Sequence, residues 1–357
     1  MSGKTVSIPA EATPAPKGAL SQGRTPTPWE LRQLESAPKS KSRASADRVI
    51  CGLPIVMAAL VIAQYKLAPN VGNAITTDTY TYFILFMAFL VSVKFIMSCF
   101  SKTSYEKLLA KAPLYTAGFL LFALYDYATL KSGILPLPYF PWPDRILNGI
   151  YEDRALLLDC IKNSLILLFS GYFAGVFAGL LTGLASGLSS RVRYWVMPLI
   201  QILGPIPSTT WLPIILIVAS SLFGGSVFLI ALGVWYPVTM TSMLGVLNIP
   251  KANFEAARTL GAGKTRLVFK VALPATMPHI FQGLTQGMSV ACTALMVAEM
   301  MGVESGLGWY INWQRGWAEF AKMYGAVIVI CVTFSIVNFL LSLVKRRVLR
   351  WQEVNWN

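Results

Sequence analysis

Side chains that could do chemistry are sparse in this sequence, and they are not grouped as a catalytic or metal site requires. The chain holds one histidine and five cysteines, and the cysteines lie far apart, mostly within apolar stretches. A zinc site needs clustered cysteine or histidine ligands, and an active site needs titratable groups that converge. We therefore predict no catalytic residue and no metal site, and we interpret the cysteines as small core residues.

One short segment imitates the end of a phosphate-binding loop. It runs from Gly261 to Thr265 and contains Gly263 and Lys264 in the expected order. The full pattern also requires a glycine five residues before Gly263, where Arg258 stands, and a preceding strand. We therefore expect this chain to bind no nucleotide and to carry no cofactor of its own.

The composition indicates that most of the chain lies in lipid. Apolar residues make up 55% of the 357 residues and charged residues only 13%, whereas soluble domains carry about 25% charged residues. The apolar residues form blocks long enough to cross a hydrocarbon core of about 30 Å as helices. We predict an all-α polytopic membrane protein with about eight spans: Val49–Tyr65, Tyr82–Phe100, Leu114–Leu130, Ser164–Leu188, Met197–Phe223, Ser226–Val246, Met277–Met301 and Tyr324–Val344.

The formal charge of +14 is interpreted as a topology signal. Most Lys and Arg residues fall in alternate connections between the predicted spans, as expected for short cytoplasmic segments. This pattern places both termini in the cytoplasm and makes nucleic-acid binding the weaker interpretation. Residues 1–48 are rich in proline and polar residues, which predicts a disordered cytoplasmic tail.

A glycine ridge runs along the fourth predicted span. Its five glycines are spaced by four residues, which lets another helix approach closely in lipid. The partner could be a helix of the same bundle or a helix of another subunit. The ridge consists of Gly171, Gly175, Gly179, Gly183 and Gly187.

The fifth predicted span is interrupted by prolines between Gly204 and Pro213. Prolines leave backbone carbonyls without donors, and irregular backbone inside a membrane must face protein or a watery cavity. The polar side chains near the break are therefore pathway candidates, unless the segment is a buried kinked helix whose hydroxyls bond its own carbonyls. The candidates here and on the seventh span are Gln201, Ser208, Thr209, Thr210, Trp211, Gln282, Gln286 and Thr293.

The cytoplasmic segment 249–276 predicts two short helices. Pro250 suits a first helical turn, and Gly261 lies where a left-handed residue would end the helix. A second helical turn from Lys264 to Val271 is expected to stop before Pro274. Small residues between these ends would let the first helix approach another protein closely.

This segment resembles the EAA loop of ATP-binding-cassette (ABC) import permeases. Glu255-Ala256-Ala257, then Gly261 and then Val271-Ala272-Leu273-Pro274 match the pattern EAA-x3-G-x9-I-x-L-P with only valine in place of isoleucine. Further segments, including Gly204-Pro205-Ile206-Pro207 and Ala298-Glu299-Met300, resemble the nitrate, sulfonate, taurine and bicarbonate branch. The similarity covers about residues 112–350, so we assign 112–357 to the permease core and 49–111 to two accessory spans.

The resemblance implies an inner-membrane permease of a bacterial ABC importer that moves a small polar solute such as nitrate, bicarbonate, taurine or another sulfonate. It implies two ABC ATPase subunits that bind ATP and Mg²⁺, a second permease copy, and an extracytoplasmic substrate-binding protein. It also suggests an outer-gate or packing role for Glu299. The ATPase-coupling residues that it implies are Phe254, Glu255, Ala256, Ala257, Gly261, Leu273 and Pro274.

Two alternatives belong to other classes. An ion-coupled secondary transporter would place an acidic side chain at mid-membrane, and an integral membrane enzyme would need convergent titratable groups. We expect the two accessory spans to pack on the outside of the core and to leave the pathway alone.

Overall fold

The computed structural model describes residues 41–71 and 76–351, and within these residues it contains helices and no strands. The first forty residues of the predicted tail lie outside the described residues, whereas residues 41–48 are helical. In chain order the helices are α1 (Lys41–Leu67), α2 (Thr79–Phe100), α3 (Lys102–Asp126), α4 (Pro143–Glu152), α5 (Arg154–Leu188), α6 (Ser190–Leu203), α7 (Leu212–Val218), α8 (Leu222–Leu247), α9 (Lys251–Thr259), α10 (Leu273–Gly302), α11 (Leu307–Gly316) and α12 (Phe320–Val348).

The predicted fold class is confirmed. Within the described residues, 7 helices are long and apolar enough to cross a membrane, and the count rises to 8 if one bent pair forms a single span. These spans coincide with the predicted ones to within a few residues at most ends. The largest extensions are at the starts of three spans, which begin at Thr103, Arg154 and Leu267 rather than at Leu114, Ser164 and Met277.

The chain divides into two compact units, which we describe separately. Among the described residues, the smaller unit contains 41–56 and Val91–Thr116, and the larger contains 57–71, 76–90 and 117–351. In the smaller unit the Lys94 ammonium donates a hydrogen bond of 3.0 Å to the Tyr115 hydroxyl and lies 5.0 Å from the centre of its ring. This contact gives the cation within α2 a local partner.

The core of the larger unit forms where α5, α8 and α10 pack together. The glycine ridge of α5 faces α8: a methyl group added at Gly175 would lie 2.5 Å from the carbonyl oxygen of Ala231, and one at Gly183 would lie 2.6 Å from that of Thr239. Any side chain larger than hydrogen would therefore collide with the α8 backbone. The structure thus places the ridge in a contact within the chain, the first of the two alternatives.

The parts of α1 and α2 within the larger unit are attached to α3 and α4 by polar contacts. The Lys131 ammonium donates to the carbonyl oxygens of Tyr65 and Ala68 at 2.8 Å each, which caps the end of α1. The Asp144 carboxylate accepts from the backbone N–H groups of Thr77 and Tyr80 at the start of α2. These contacts fix the larger unit's parts of α1 and α2 at the end of the bundle where α4 lies.

Helices α4 and α11 were not predicted, because each is too short and too polar to give a membrane signal. Helix α4 begins with Pro143 in its first turn, where a proline costs no hydrogen bond. Helix α11 is preceded by Gly306, whose φ of 146° favours glycine. Both helices connect membrane spans at the end of the bundle opposite to α9.

Candidate functional site

The first part of the site is a sharp break in the fifth span. Helix α6 ends at Leu203, a single 3-10 turn covers Ser208–Trp211, and the two helical arms are bent by 84°. The predicted break between Gly204 and Pro213 is therefore confirmed. The predicted span from Met197 to Phe223 corresponds to this bent pair, which begins at Ser190 and ends at Val218, before α8 begins at Leu222.

A cavity of about 420 Å³ lies against this break, between the 3-10 turn, α8 and α10. The three elements meet at Gly233, where an added methyl group would lie 2.8 Å from the Ser208 hydroxyl oxygen and 3.0 Å from a methyl carbon of Val290. The lack of a side chain at Gly233 lets the broken segment approach both helices. The helix break and the missing side chain at Gly233 together create the cavity.

The cavity brings together five of the predicted pathway residues, which are Ser208, Thr209, Trp211, Gln286 and Thr293. Gln201, Thr210 and Gln282 are exposed but do not line it, and Glu299 is buried elsewhere.

The sequence analysis missed two polar lining residues, Tyr236 and Ser289. Ser289 could have been found, since Gln282, Gln286, Ser289 and Thr293 follow helical spacing and form one polar stripe on α10. Tyr236 gave no such signal, because it stands alone within an apolar span.

The cavity can bind a small polar solute through neutral groups. Its described lining carries hydroxyl groups, one amide, one indole and one phenol but no Asp, Glu, Lys or Arg. Within the described part of the chain, the hydroxyls of Ser208 and Thr209 make no hydrogen bond, so they are available to a solute. The lining therefore offers hydrogen bonds rather than ion pairs.

The second part of the site is the exposed helix α9. No residue of α9 is buried, and Leu260 just after it is 87% exposed. The helix ends in a Schellman motif, since the N–H of Gly261 donates to the Arg258 carbonyl at 2.9 Å and the N–H of Ala262 donates to the Ala257 carbonyl at 3.0 Å. Gly261 has the left-handed φ of 76° that the sequence predicted.

The second half of this loop differs from the prediction. The helix that starts at Lys264 does not stop before Pro274 but continues through a π-helical segment, Leu267–Ala272, directly into α10. A proline lacks an N–H group, and the change from π to α hydrogen bonding allows it at the start of α10 without breaking the helix. Leu273 and Pro274 therefore belong to α10 and not to a separate turn.

The cavity and the exposed helix share the same supports. Helices α8 and α10 flank the loop that carries α9, and they cross closely at Gly245, where an added methyl group would lie 2.5 Å from a Thr276 methyl carbon and 2.7 Å from the His279 Cβ. The same two helices line the cavity further along. A displacement of the loop would therefore be transmitted to the cavity walls.

Glu299 lies outside the cavity, at the far end of α10. Its side chain is 1% exposed, and its Oε2 accepts a hydrogen bond of 2.7 Å from the backbone N–H of Gly308. The sequence analysis left a gate role and a packing role open. In the structure the carboxylate contacts α11 rather than the cavity.

Comparison with known proteins links this architecture to membrane transport. A family model for the binding-protein-dependent transport system inner membrane component matches residues 172–353. The matched region includes the cavity, α9 and α10. It excludes α1–α4, which comprise the expected accessory spans (49–111) and the first part of the expected core (from residue 112).

Among curated relatives, the putative aliphatic sulfonates transport permease protein SsuC of Bacillus subtilis is 29% identical over 163 residues, 46% of this chain and 59% of that protein. The taurine transport system permease protein TauC of Escherichia coli is 28% identical, over 66% of this chain and 88% of that protein. The nitrate import permease protein NrtB of Leptolyngbya laminosa is 29% identical, over 42% and 54%. A chain from inward-facing structures of the MetNI methionine ABC transporter aligns with a TM-score of 0.47 and 21% identity, covering 55% of this chain and 98% of that chain.

Proposed function

This chain belongs to the family of binding-protein-dependent transport system inner membrane components, and we propose that it forms the translocation pathway of an ATP-driven importer. It is a multi-pass inner-membrane protein and a non-catalytic transmembrane component. The observation that carries the proposal is that α8 and α10 both line the cavity and hold the exposed helix α9. That arrangement connects a solute site to a surface for a motor.

The exposed helix is proposed as the docking element for an ABC ATPase. Its small residues Ala256 and Ala257 would permit close approach, while Phe254 and Leu260 would supply apolar anchors. Glu255 is exposed and makes no hydrogen bond or ion pair among the described residues, so its carboxylate is available to a partner. ATP and Mg²⁺ would bind in the ATPase, and the loop end of the bundle would face the cytoplasm.

Two ATPases close around ATP, so two docking helices are needed, and we propose that a second copy of this chain supplies the other. Residues 112–357 would form the permease core, and residues 49–111 would form accessory spans outside the pathway. None of the described residues of α1 and α2 lines the cavity beside the break, which supports that placement. A substrate-binding protein on the opposite side would deliver the solute.

The solute is proposed to be a small oxyanion or organosulfonate. The names of the three relatives refer to aliphatic sulfonates, taurine and nitrate, and the hydroxyl and amide groups of the cavity suit an oxyanion that is held by hydrogen bonds. Helix ends can add positive potential without charged side chains. The absence of Arg and Lys from the described lining is therefore compatible with an anion.

Two experiments test the proposed function: identification of the solute and measurement of its ATP-driven uptake. Mass spectrometry of the purified binding protein that associates with this chain would identify the molecule it carries. Proteoliposomes that contain this chain and its ATPase should then accumulate that molecule only when ATP and the binding protein are both supplied. Uptake that needs an ion gradient and no ATPase would instead support a secondary transporter.

A further inference from the structure

Helix α11 is fastened to the ends of two membrane spans by buried polar contacts, at the end of the bundle opposite to α9. The backbone N–H of Gly308 donates to Glu299 on α10, and the neighbouring N–H of Leu307 donates to the Ser164 hydroxyl on α5 at 2.9 Å. The first N–H groups of a helix have no partner within it. Here two of them are bound by side chains from two different spans.

The fit around the Glu299 carboxylate is tight. A methyl group added at Gly306 would lie 2.4 Å from Oε1, and one at Gly308 would lie 2.9 Å from the Glu299 Cβ. Oε1 is buried and has no hydrogen-bond partner among the described residues. The glycines therefore bring the α11 backbone directly against a carboxylate that has no access to water.

The segment between α10 and α11 has additional ties to the same spans. The Asn163 amide on α5 donates to the Ser305 hydroxyl at 2.8 Å, and the Asn312 amide on α11 donates to the Met300 carbonyl oxygen on α10 at 3.0 Å. The first contact ties α5 to the connection before α11, and the second ties α11 to α10. Helix α11 is therefore held at this end by several hydrogen bonds rather than by one.

A second acidic residue holds the body of α11. Asp153, just before α5, accepts hydrogen bonds from the Tyr310 hydroxyl at 2.7 Å and the Lys322 ammonium at 3.1 Å. Burial and the charge of Asp153 raise the pKa of the Tyr310 phenol above its usual range, which keeps this hydroxyl protonated as a donor. Helix α11 is thus bound to α5 at two separate places.

We propose that α5, α10 and α11 move as one rigid unit and that Glu299 is the positioning residue that joins them. A lid motion of α11 would strip a buried carboxylate and two backbone N–H groups of their partners, which is costly in a dry environment. Thr293, on the cavity wall, lies on the same helix as Glu299. This inference rests on the proposed function. It means that α11 does not open as a lid over the solute and that the solute passes beside it.

The experiment measures whether α11 ever leaves α5. Asn163→Cys and Ser305→Cys are combined in a background in which Cys99 and Cys331 are serine and Cys160, a neighbour of Ser305, is alanine. A short bifunctional thiol reagent is then applied. The yield of the intramolecular crosslink is compared between the nucleotide-free transporter and the transporter trapped with ATP and vanadate. We expect the two yields to agree within about twofold. A crosslink that forms in only one state, or in neither, would overturn the proposal.

Variants of Glu299 test its role in the same assay. Glu299→Ala should lower the crosslink yield at least fivefold, whereas Glu299→Gln, which keeps an oxygen acceptor for Gly308, should restore it. Glu304→Ala is the matched control, since Glu304 is exposed in the same connection. An unchanged yield in Glu299→Ala would show that the other contacts suffice and would refute the positioning role.

The two proposals can fail separately. If no ATPase associates with the chain and vanadate traps nothing, the proposed function is lost. The yields of the purified chain with glutamate, alanine or glutamine at position 299 still decide whether Glu299 positions α11.

Discussion

Two acidic residues, one on α9 before the start of α10 and one near the end of α10, lie in opposite environments. Glu255 lies on the exposed helix α9 and has no partner among the described residues. Near the end of α10, Glu299 is 1% exposed and holds the first turn of α11. The proposed docking helix leaves its carboxylate free, whereas the contact within the chain binds its carboxylate. Substitutions at the two ends should therefore affect different properties.

The largest effect is expected at the buried end. Gly306→Val should lower the free energy of unfolding by about 3 kcal/mol, because the new side chain would collide with the Glu299 carboxylate and require an unfavourable φ. Thermal unfolding of the purified protein in detergent measures this change. Gly316→Val is the control, since nothing lies within 4 Å of a methyl group at Gly316. Equal unfolding temperatures for the two variants would contradict the tight fit.

The next effect is expected at the exposed end and should leave stability intact. Glu255→Lys should reduce ATP-driven uptake at least about tenfold, equivalent to roughly 1.4 kcal/mol, because the charge that faces the ATPase is reversed. The unfolding temperature should match that of the unmodified protein, since Glu255 makes no hydrogen bond or ion pair among the described residues. Glu304→Lys provides the same charge change at the other end of α10. If Glu255→Lys transports normally, α9 is not the docking helix.

A smaller effect is expected at the end of α9. Gly261→Ala should cost about 1 kcal/mol, because alanine is disfavoured at a left-handed φ even where space is free. We expect a severalfold weaker association with the ATPase, measured by titration of the purified components. Gly263→Ala is the matched control, as Gly263 is equally open and lacks the left-handed φ. A larger loss in the control would exclude the Schellman cap as the cause.

The smallest effect is expected in the cavity between the two ends. Ser289→Ala removes one lining hydroxyl and should raise the KM for uptake about threefold, or about 0.6 kcal/mol, which is near the lower end of what one hydrogen bond contributes. Thr285→Val on the same helix removes a hydroxyl that bonds the Phe281 carbonyl outside the cavity, and it should leave KM unchanged. Equal KM values for both variants would mean that Ser289 does not contact the solute.

Part of the site could be predicted because it depends on local chemistry. Prolines between Gly204 and Pro213 must interrupt a helix, and a glycine at position 261 favours a left-handed cap. Both features were predicted from residue type alone. Local rules failed at Pro274, where the hydrogen-bond pattern changed around the proline and the helix continued.

The positions of helices α4 and α11 could not be predicted from the sequence, for a different reason. Each has ten residues, which is too few for a membrane span. The types and spacing of their polar side chains do not predict which residues they contact. Their positions depend on Asp144, Asp153 and Glu299, whose partners lie far along the chain or across a turn. No spacing rule in a single sequence connects such residues.

The sequence by itself determined that the chain lies mostly in lipid, and it determined the number of spans, the glycine ridge and the exposed loop. Each of these follows from composition or from contacts within a few residues. Only the tertiary structure decided which polar residues share a cavity and that Glu299 binds α11 instead. The physical reason is that a buried polar group must find a partner wherever the fold provides one, and that choice depends on distances in space rather than along the chain.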